Sequence, residues 1–262
     1  MTATPEPLVR VENDRGVATL VLNSPHNRNA LSTPLMAELL AALAAAIEDD
    51  TVRVVVLSHT GPVFCSGVDL KETAAARDSG SVPAAMLGDV LAAFWECPKP
   101  VVARIGGPAR AGGLGLIAAA DIAVCAEDAT FAFTEVRIGV VPALISATVL
   151  PRLNQRAAAE LYLTGNTFDG RRAAEIGLVT TATPPDELDA TVLSYCRALL
   201  RGGPKALVGA KALLRRTPAT SVRDEIAQLS EISVGYFLSD EGREGARAFR
   251  EKRPPSWVPA DW

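Results

Sequence analysis

Gly61-Pro-Val-Phe-Cys-Ser-Gly-Val-Asp-Leu70 and Ala109-Arg-Ala-Gly-Gly-Leu-Gly115 decide the reading of this chain. Each follows a β-branched run, and a carboxylate, Glu135, comes after the second. A strand that ends in a glycine turn and opens into a helix leaves backbone N–H groups without intrahelical partners. Two such turns placed face to face can both donate to one developing negative charge, so the pattern predicts an oxyanion-binding pocket. The expected donors are the amides of Val68 and Gly112. Glycine at Gly112 also lets the backbone approach a ligand closely.

Around these segments, strands alternate with helices. Leu8 to Glu12 and Val17 to Leu22, joined by Asn13-Asp-Arg-Gly16, predict a hairpin with a glycine-bearing turn. Ser32-Thr-Pro supplies a cap and a first-turn proline, and Met36, Leu39, Leu40, Leu43 and Ile47 recur at helical spacing behind it. Val52 to Ser58 reads as a buried strand. A second cycle follows: a helix over Met86 to Trp95, a strand over Val101 to Ile105, a helix from Gly112 and a strand over Ile122 to Cys125. This ββα-like cycling argues for an α/β core.

Beyond Leu150 helices dominate: Ala157 to Leu163, Pro185 to Leu200, Lys205 to Leu214, Val222 to Leu238 and Glu241 to Glu251, with a strand only at Leu178 to Thr181. Residues 1–200 are expected to form the core domain and 201–262 a helical oligomerisation region. Helices with apolar residues on more than one face usually pack on something beyond their own core.

At 262 residues and 48% hydrophobic content, the chain can bury one large core. A net charge of −4 disfavours a nucleic-acid partner. The amino terminus lacks the basic start and apolar stretch of a secretory signal, and the apolar runs are too short or too charged to span a bilayer. A soluble, cytoplasmic protein with no membrane partner is expected. Cys65, Cys97, Cys125 and Cys196 are scattered without C-x-x-C spacing, which indicates neither a zinc site nor a disulfide scaffold.

The run Leu22-Asn-Ser-Pro-His-Asn-Arg-Asn-Ala-Leu31, the Phe64-Cys-Ser-Gly-Val-Asp-Leu70 segment, the Gly112-Gly113 turn before Ala119-Ala-Asp-Ile122, and Phe131-Ala-Phe-Thr-Glu-Val-Arg-Ile-Gly139 with Pro142 together resemble the crotonase, or enoyl-CoA hydratase/isomerase, superfamily. Leu163-Thr-Gly165, Ala173-Ala-Glu-Ile-Gly-Leu178 and Ala248-Phe-Arg-Glu-Lys-Arg253 are similar to its later landmarks, so the resemblance covers almost the whole chain. It implies the crotonase (ClpP/crotonase-like) fold, a repeated ββα core with a C-terminal helical subdomain, and trimers or paired trimers. It also implies an acyl-CoA thioester as substrate, its carbonyl oxygen between the Val68 and Gly112 amides. No further cofactor is implied, because coenzyme A arrives as part of the substrate.

Glu135 matches the second catalytic glutamate of that family, and its apolar neighbours Phe131, Phe133 and Val136 would raise its pKa toward the range useful for moving protons. Gly115 is the departure: classical hydratases carry their first catalytic glutamate there. Hydration is therefore expected either from Glu135 alone or with a borrowed polar group such as Glu72, Ser146 or Thr148. Pro142-Ala-Leu-Ile-Ser146 is similar to hydratase-like branches with glycine at that position. The alternatives are an enoyl-CoA isomerase using Glu135 alone, or a protein that binds acyl-CoA without turnover.

For the CoA moiety the resemblance points to Ala30, Val68, Asp69, Leu70 and Lys71, with Gly112 and Gly113 beside the thioester, Arg28 as a phosphate contact, and Lys252 with Arg253 at a position contributed to the CoA pocket. Gly113-Leu-Gly-Leu-Ile-Ala118 also fits a dinucleotide fingerprint, with Glu135 as its acidic residue, but Pro108 and Arg110 intervene between strand and glycines. There is no G-x-S-x-G elbow, and neither His26 nor His59 has a triad or metal arrangement.

Overall fold

In the computed structural model, residues 6–76 and 84–260 are described. The chain opens with a hairpin, β1 (Val9–Asp14) and β2 (Val17–Leu22), whose turn is the pair Arg15-Gly16 with φ of 45° and 85°. Positive φ at both positions is what a tight two-residue hairpin turn requires. The first strand therefore runs two residues past its expected end at Glu12.

Helix α1 (Thr33–Glu48) starts where Ser32 Oγ accepts the Leu35 amide at 3.4 Å, and it buries Leu35, Met36, Leu39, Leu43 and Ala46. There follow β3 (Val54–His59), α2 (Leu70–Ala76), α3 (Ala84–Glu96), β4 (Val101–Ile105), the two-residue β5 (Ala109–Arg110), α4 (Gly112–Ala119), β6 (Ile122–Ala126) and β7 (Thr130–Ala132). The second half holds α5 (Ala143–Val149), α6 (Gln155–Thr164), β8 (Phe168–Asp169), α7 (Gly170–Glu175), β9 (Thr181–Thr183), α8 (Leu188–Leu200), α9 (Pro204–Arg215), α10 (Val222–Leu238) and α11 (Asp240–Glu251).

Six strands form one sheet in the order β1-β2-β3-β4-β6-β9, parallel throughout except for the antiparallel β1–β2 pair. The unbroken apolar runs Val54 to Leu57 and Val101 to Ala103 are buried at its centre, as expected of parallel strands covered on both faces. A small second sheet, β5-β7-β8, stands beside it. The late strand forms at Thr181–Thr183 rather than at Leu178 to Thr181, because Leu178 and Val179 are spent packing into the core while Thr181 to Thr183 pair with β6. Helix α8 packs on β3, β4 and β6.

Helix α9 is tied to the core by charge. Lys211, 6% exposed, reaches Asp121 at 2.5 Å and the Lys99 carbonyl at 2.7 Å. Arg215 reaches the other Asp121 oxygen at 2.9 Å. The guanidinium of Arg215 also lies over the Trp95 ring at 5.4 Å, as does that of Arg152 at 4.9 Å. Buried pairs of this kind repay little of their desolvation cost, but they fix where a helix docks.

Candidate active site

The first glycine segment is held by β-type pairing without a full strand. Leu31 donates its amide to the Gly67 carbonyl at 2.8 Å and accepts from Asp69 at 3.3 Å, forming a parallel bridge with Val68. In that geometry the residue between the two partners turns its own N–H and C=O to the opposite side. The Val68 amide accordingly points away from Leu31, and among the described residues it has no acceptor.

Asn29 fixes the base of this loop. It is fully buried, has φ of 52°, accepts the Ser24 amide at 2.7 Å, and donates to the carbonyls of Thr60 at 3.0 Å and Val63 at 2.8 Å.

The second segment lies directly against the first. A β-carbon at Gly67 would stand 3.0 Å from Ala111 Cβ and 3.5 Å from the Gly112 nitrogen, so only glycine allows the two loops to abut. At Gly113 it would stand 2.9 Å from Cys65 Cβ. Arg110 donates to the Cys65 carbonyl at 3.0 Å, completing the seam.

Ala111, the residue before α4, has φ 47° and ψ −117°, a backbone conformation that costs an L-residue about 1–3 kcal/mol. Its ψ sets the direction of the Gly112 N–H, which lies in the first turn of α4 and, like Val68, has no acceptor among the described residues. Two partnerless amides thus sit on apposed loops. The four cysteines are free and buried, and burial pushes the Cys65 thiol up to about 12, out of the reactive range.

Glu135 opens a short 3-10 turn, Glu135–Ile138, after β7. Its Oε2 is buried without a hydrogen-bond partner among the described residues, and this desolvation raises the carboxyl above the ordinary glutamate range. Burial raises the Tyr162 phenol as well, against the lowering effect of its hydrogen bond with Ser146, and the charge of Glu135 adds to the rise. The Tyr162 ring packs on Phe133 with centroids 4.6 Å apart.

Gly115 lies in the buried interior of α4, and the atoms nearest to where its side chain would stand are apolar. A β-carbon there would meet Ile145 Cγ2 at 2.7 Å, Ile145 Cβ at 3.1 Å and Leu91 Cδ2 at 3.1 Å. Of the polar groups considered as substitutes, Glu72 accepts the Thr33 amide at 2.8 Å, and Thr148 is turned to the carbonyls of Gly115 at 3.0 Å and Ile145 at 3.2 Å. Ser146 donates to the Pro142 carbonyl at 2.7 Å and lies 3.4 Å from the Tyr162 hydroxyl.

The structure brings Val68, Gly112 and Gly113 together, with Ala30 buried one residue before Leu31. Asp69 is occupied locally: its Oδ1 accepts the amides of Lys71 at 2.9 Å and Glu72 at 3.2 Å, capping α2. The Leu70 side chain lies outside the described residues. Arg28 and Lys71 are exposed and make no ion pair among the described residues. Lys252 ends α11 with φ of 53°, its amide on the Phe249 carbonyl, and no hydrogen bond or ion pair among the described residues joins it to the two loops. The dinucleotide pattern has no counterpart in the topology, since β5 before the glycines and β6 after α4 belong to different sheets.

Asn29, Ala111, Ile145 and Tyr162 were not singled out by the sequence. Only Asn29 carried a signal, an amide side chain in a polar turn that tolerates positive φ.

A chain with paired backbone donors and a desolvated carboxylate on this α/β frame has the parts of an enzyme that moves protons beside a carbonyl. Comparison with known proteins places it: the sequence model of the Enoyl-CoA hydratase/isomerase family matches residues 12–259. A putative enoyl-CoA hydratase of Thermus thermophilus is 34% identical, covering 95% of this chain and 99% of its own length. The peroxisomal Delta(3,5)-Delta(2,4)-dienoyl-CoA isomerase of Arabidopsis thaliana is 32% identical, with 96% of each chain covered. The crystal structure of an enoyl-CoA hydratase from Mycobacterium smegmatis superposes with a TM-score of 0.89 at 34% identity, covering 97% of this chain and 100% of that one. The chain belongs to the enoyl-CoA hydratase/isomerase family, and its fold is the crotonase fold. It is an acyl-CoA enzyme of the hydratase/isomerase type.

Proposed function

We propose that this enzyme hydrates a 2-enoyl-CoA to a 3-hydroxyacyl-CoA, with Glu135 as its single carboxylate and the Val68 and Gly112 amides on the thioester oxygen. The observation that carries it is that the chain combines a buried Glu135 Oε2 with two amides on apposed loops, all three without a hydrogen-bond partner among the described residues. Water oxygen bonds to the β-carbon while Glu135 takes one of its protons. The π electrons move onto the thioester oxygen, where the two amides hold the charge. Glu135 then returns that proton to the α-carbon as the carbonyl reforms, and the carboxylate is regenerated. Preformed donors of this kind favour the enolate-like state over the ground state, each by about 2.7–4 kcal/mol.

Arg28, just before the segment that pairs with Val68, and Lys71, in the first turn of α2, are exposed and make no ion pair among the described residues, which suits them to the phosphates of CoA. The exposed Ile226 and Phe237 of α10 and Phe249 of α11 support assembly into homotrimers or hexamers.

Isomerisation of a 3-enoyl-CoA is the second reading, favoured by Ile145 over Gly115: a proton moved between carbons needs one carboxylate and no bound water. Rates with crotonyl-CoA and 3-hexenoyl-CoA separate the two, and Glu135→Gln is expected to abolish whichever is found. Turnover that survives this substitution contradicts both.

A further inference from the structure

Ser146 has one hydroxyl hydrogen, and the Pro142 carbonyl at 2.7 Å claims it. The 3.4 Å contact between Ser146 and the Tyr162 hydroxyl is long for an O–H···O bond, so the phenol hydrogen is only weakly held there and can turn to a third group. Tyr162 and Ser146 line a cleft of about 270 Å³ whose remaining wall is largely apolar, including Val136, Val141 and Leu163. Phe133, on which the Tyr162 ring packs, lies two residues before Glu135, and the charge of Glu135 acts on the phenol. That volume accommodates several water molecules, and the phenol is among its few polar groups. The ring is held against Phe133, which fixes where the hydroxyl points.

We propose that the Tyr162 hydroxyl holds the attacking water opposite Glu135, doing the work for which the side chain missing at Gly115 would otherwise be used. Resting on the hydratase reading, it makes Tyr162 a catalytic residue for hydration but not for proton transfer between carbons. The phenol donates to the water oxygen, and Glu135 accepts the water's proton. As the carbon–oxygen bond forms, the phenol keeps its own hydrogen, so it orients the nucleophile without changing charge.

The test is Tyr162→Phe, which retains the ring packed on Phe133. Crotonyl-CoA hydration and exchange of the α-protons of butyryl-CoA in deuterated water are measured on the same preparation, so the second reaction reports an intact Glu135, intact amides and an intact fold. Hydration is expected to lose about 10²-fold in kcat, with exchange held within about threefold. Unchanged hydration overturns the assignment, and so does an equal loss of both reactions, which would make Tyr162 a packing residue. An unsubstituted enzyme that exchanges these protons without hydrating refutes the hydratase reading itself, a failure seen before any variant is compared.

Discussion

Ile145 closes over Gly115: its Cγ2 lies 2.7 Å from where a β-carbon on that glycine would be. The contact joins α4 to α5 and removes the space from which a second carboxylate could act. The Cγ2 atom branches directly from Cβ, so it cannot swing aside as the end of a long side chain would. Gly115→Ala is therefore expected to cost about 1–3 kcal/mol through overpacking. In an Ile145→Ala background the same substitution is expected to cost at least about 1 kcal/mol less. Urea denaturation of the four proteins of this cycle checks it; additivity would mean that the two residues do not compete for space.

Ala111 holds the Gly112 amide in place through a strained backbone. Ala111→Gly relieves roughly 1–3 kcal/mol of strain in the folded state, offset by about 0.4–1 kcal/mol from the freer unfolded chain. The denaturation midpoint is expected to rise while kcat falls several-fold, because the peptide bearing the proposed oxyanion donor is no longer locked. A variant both more stable and fully active would remove Ala111 from the site's construction.

Asn29 anchors the other donor. Asn29→Ala strands the carbonyls of Thr60 and Val63 and the amide of Ser24, an expected loss of about 2–4 kcal/mol. Asn29→Asp keeps the acceptor for Ser24 but loses both donations, so it is not expected to restore stability. Chemical denaturation of both variants measures this, and wild-type stability in Asn29→Asp would contradict it.

The raised carboxyl of Glu135 gives stability a pH dependence of definite sign. The folded chain keeps this proton to higher pH than the unfolded chain does. The group therefore favours the folded state in acid, and that contribution is lost as pH rises from the ordinary glutamate range, about pH 4, through the raised folded value. Glu135→Gln is expected to raise the melting temperature at pH 7 and to leave it little changed at pH 4. Equal shifts at both values would show that the buried charge is not the cause.

Local chemistry made the frame readable. The Ser32 cap, the β-branched runs and the glycine before each turn placed α1, β4 and α4 nearly to the residue, and the likeness of the glycine segments to one family drew attention to the Val68 and Gly112 amides and to Glu135. Harder to see were features that exist only through distant partners. The two-residue strands β5 and β8 have too few residues for periodicity, and they exist because β7 lies between them. Ala111 carries a backbone angle that its own propensity opposes. The space above Gly115 was expected to invite a polar side chain, yet α5 delivers Ile145, because that helix packs an apolar face on α3 and α4.

The most direct measurement is exchange of the α-protons of butyryl-CoA in deuterated water, followed by proton NMR. It requires the amides to stabilise an enolate and Glu135 to move the proton, but no attacking water. The enzyme is expected to exchange these protons, with Glu135→Gln slower by about 10²–10⁴-fold. Exchange at an undiminished rate in Glu135→Gln would contradict a single-carboxylate mechanism at this site.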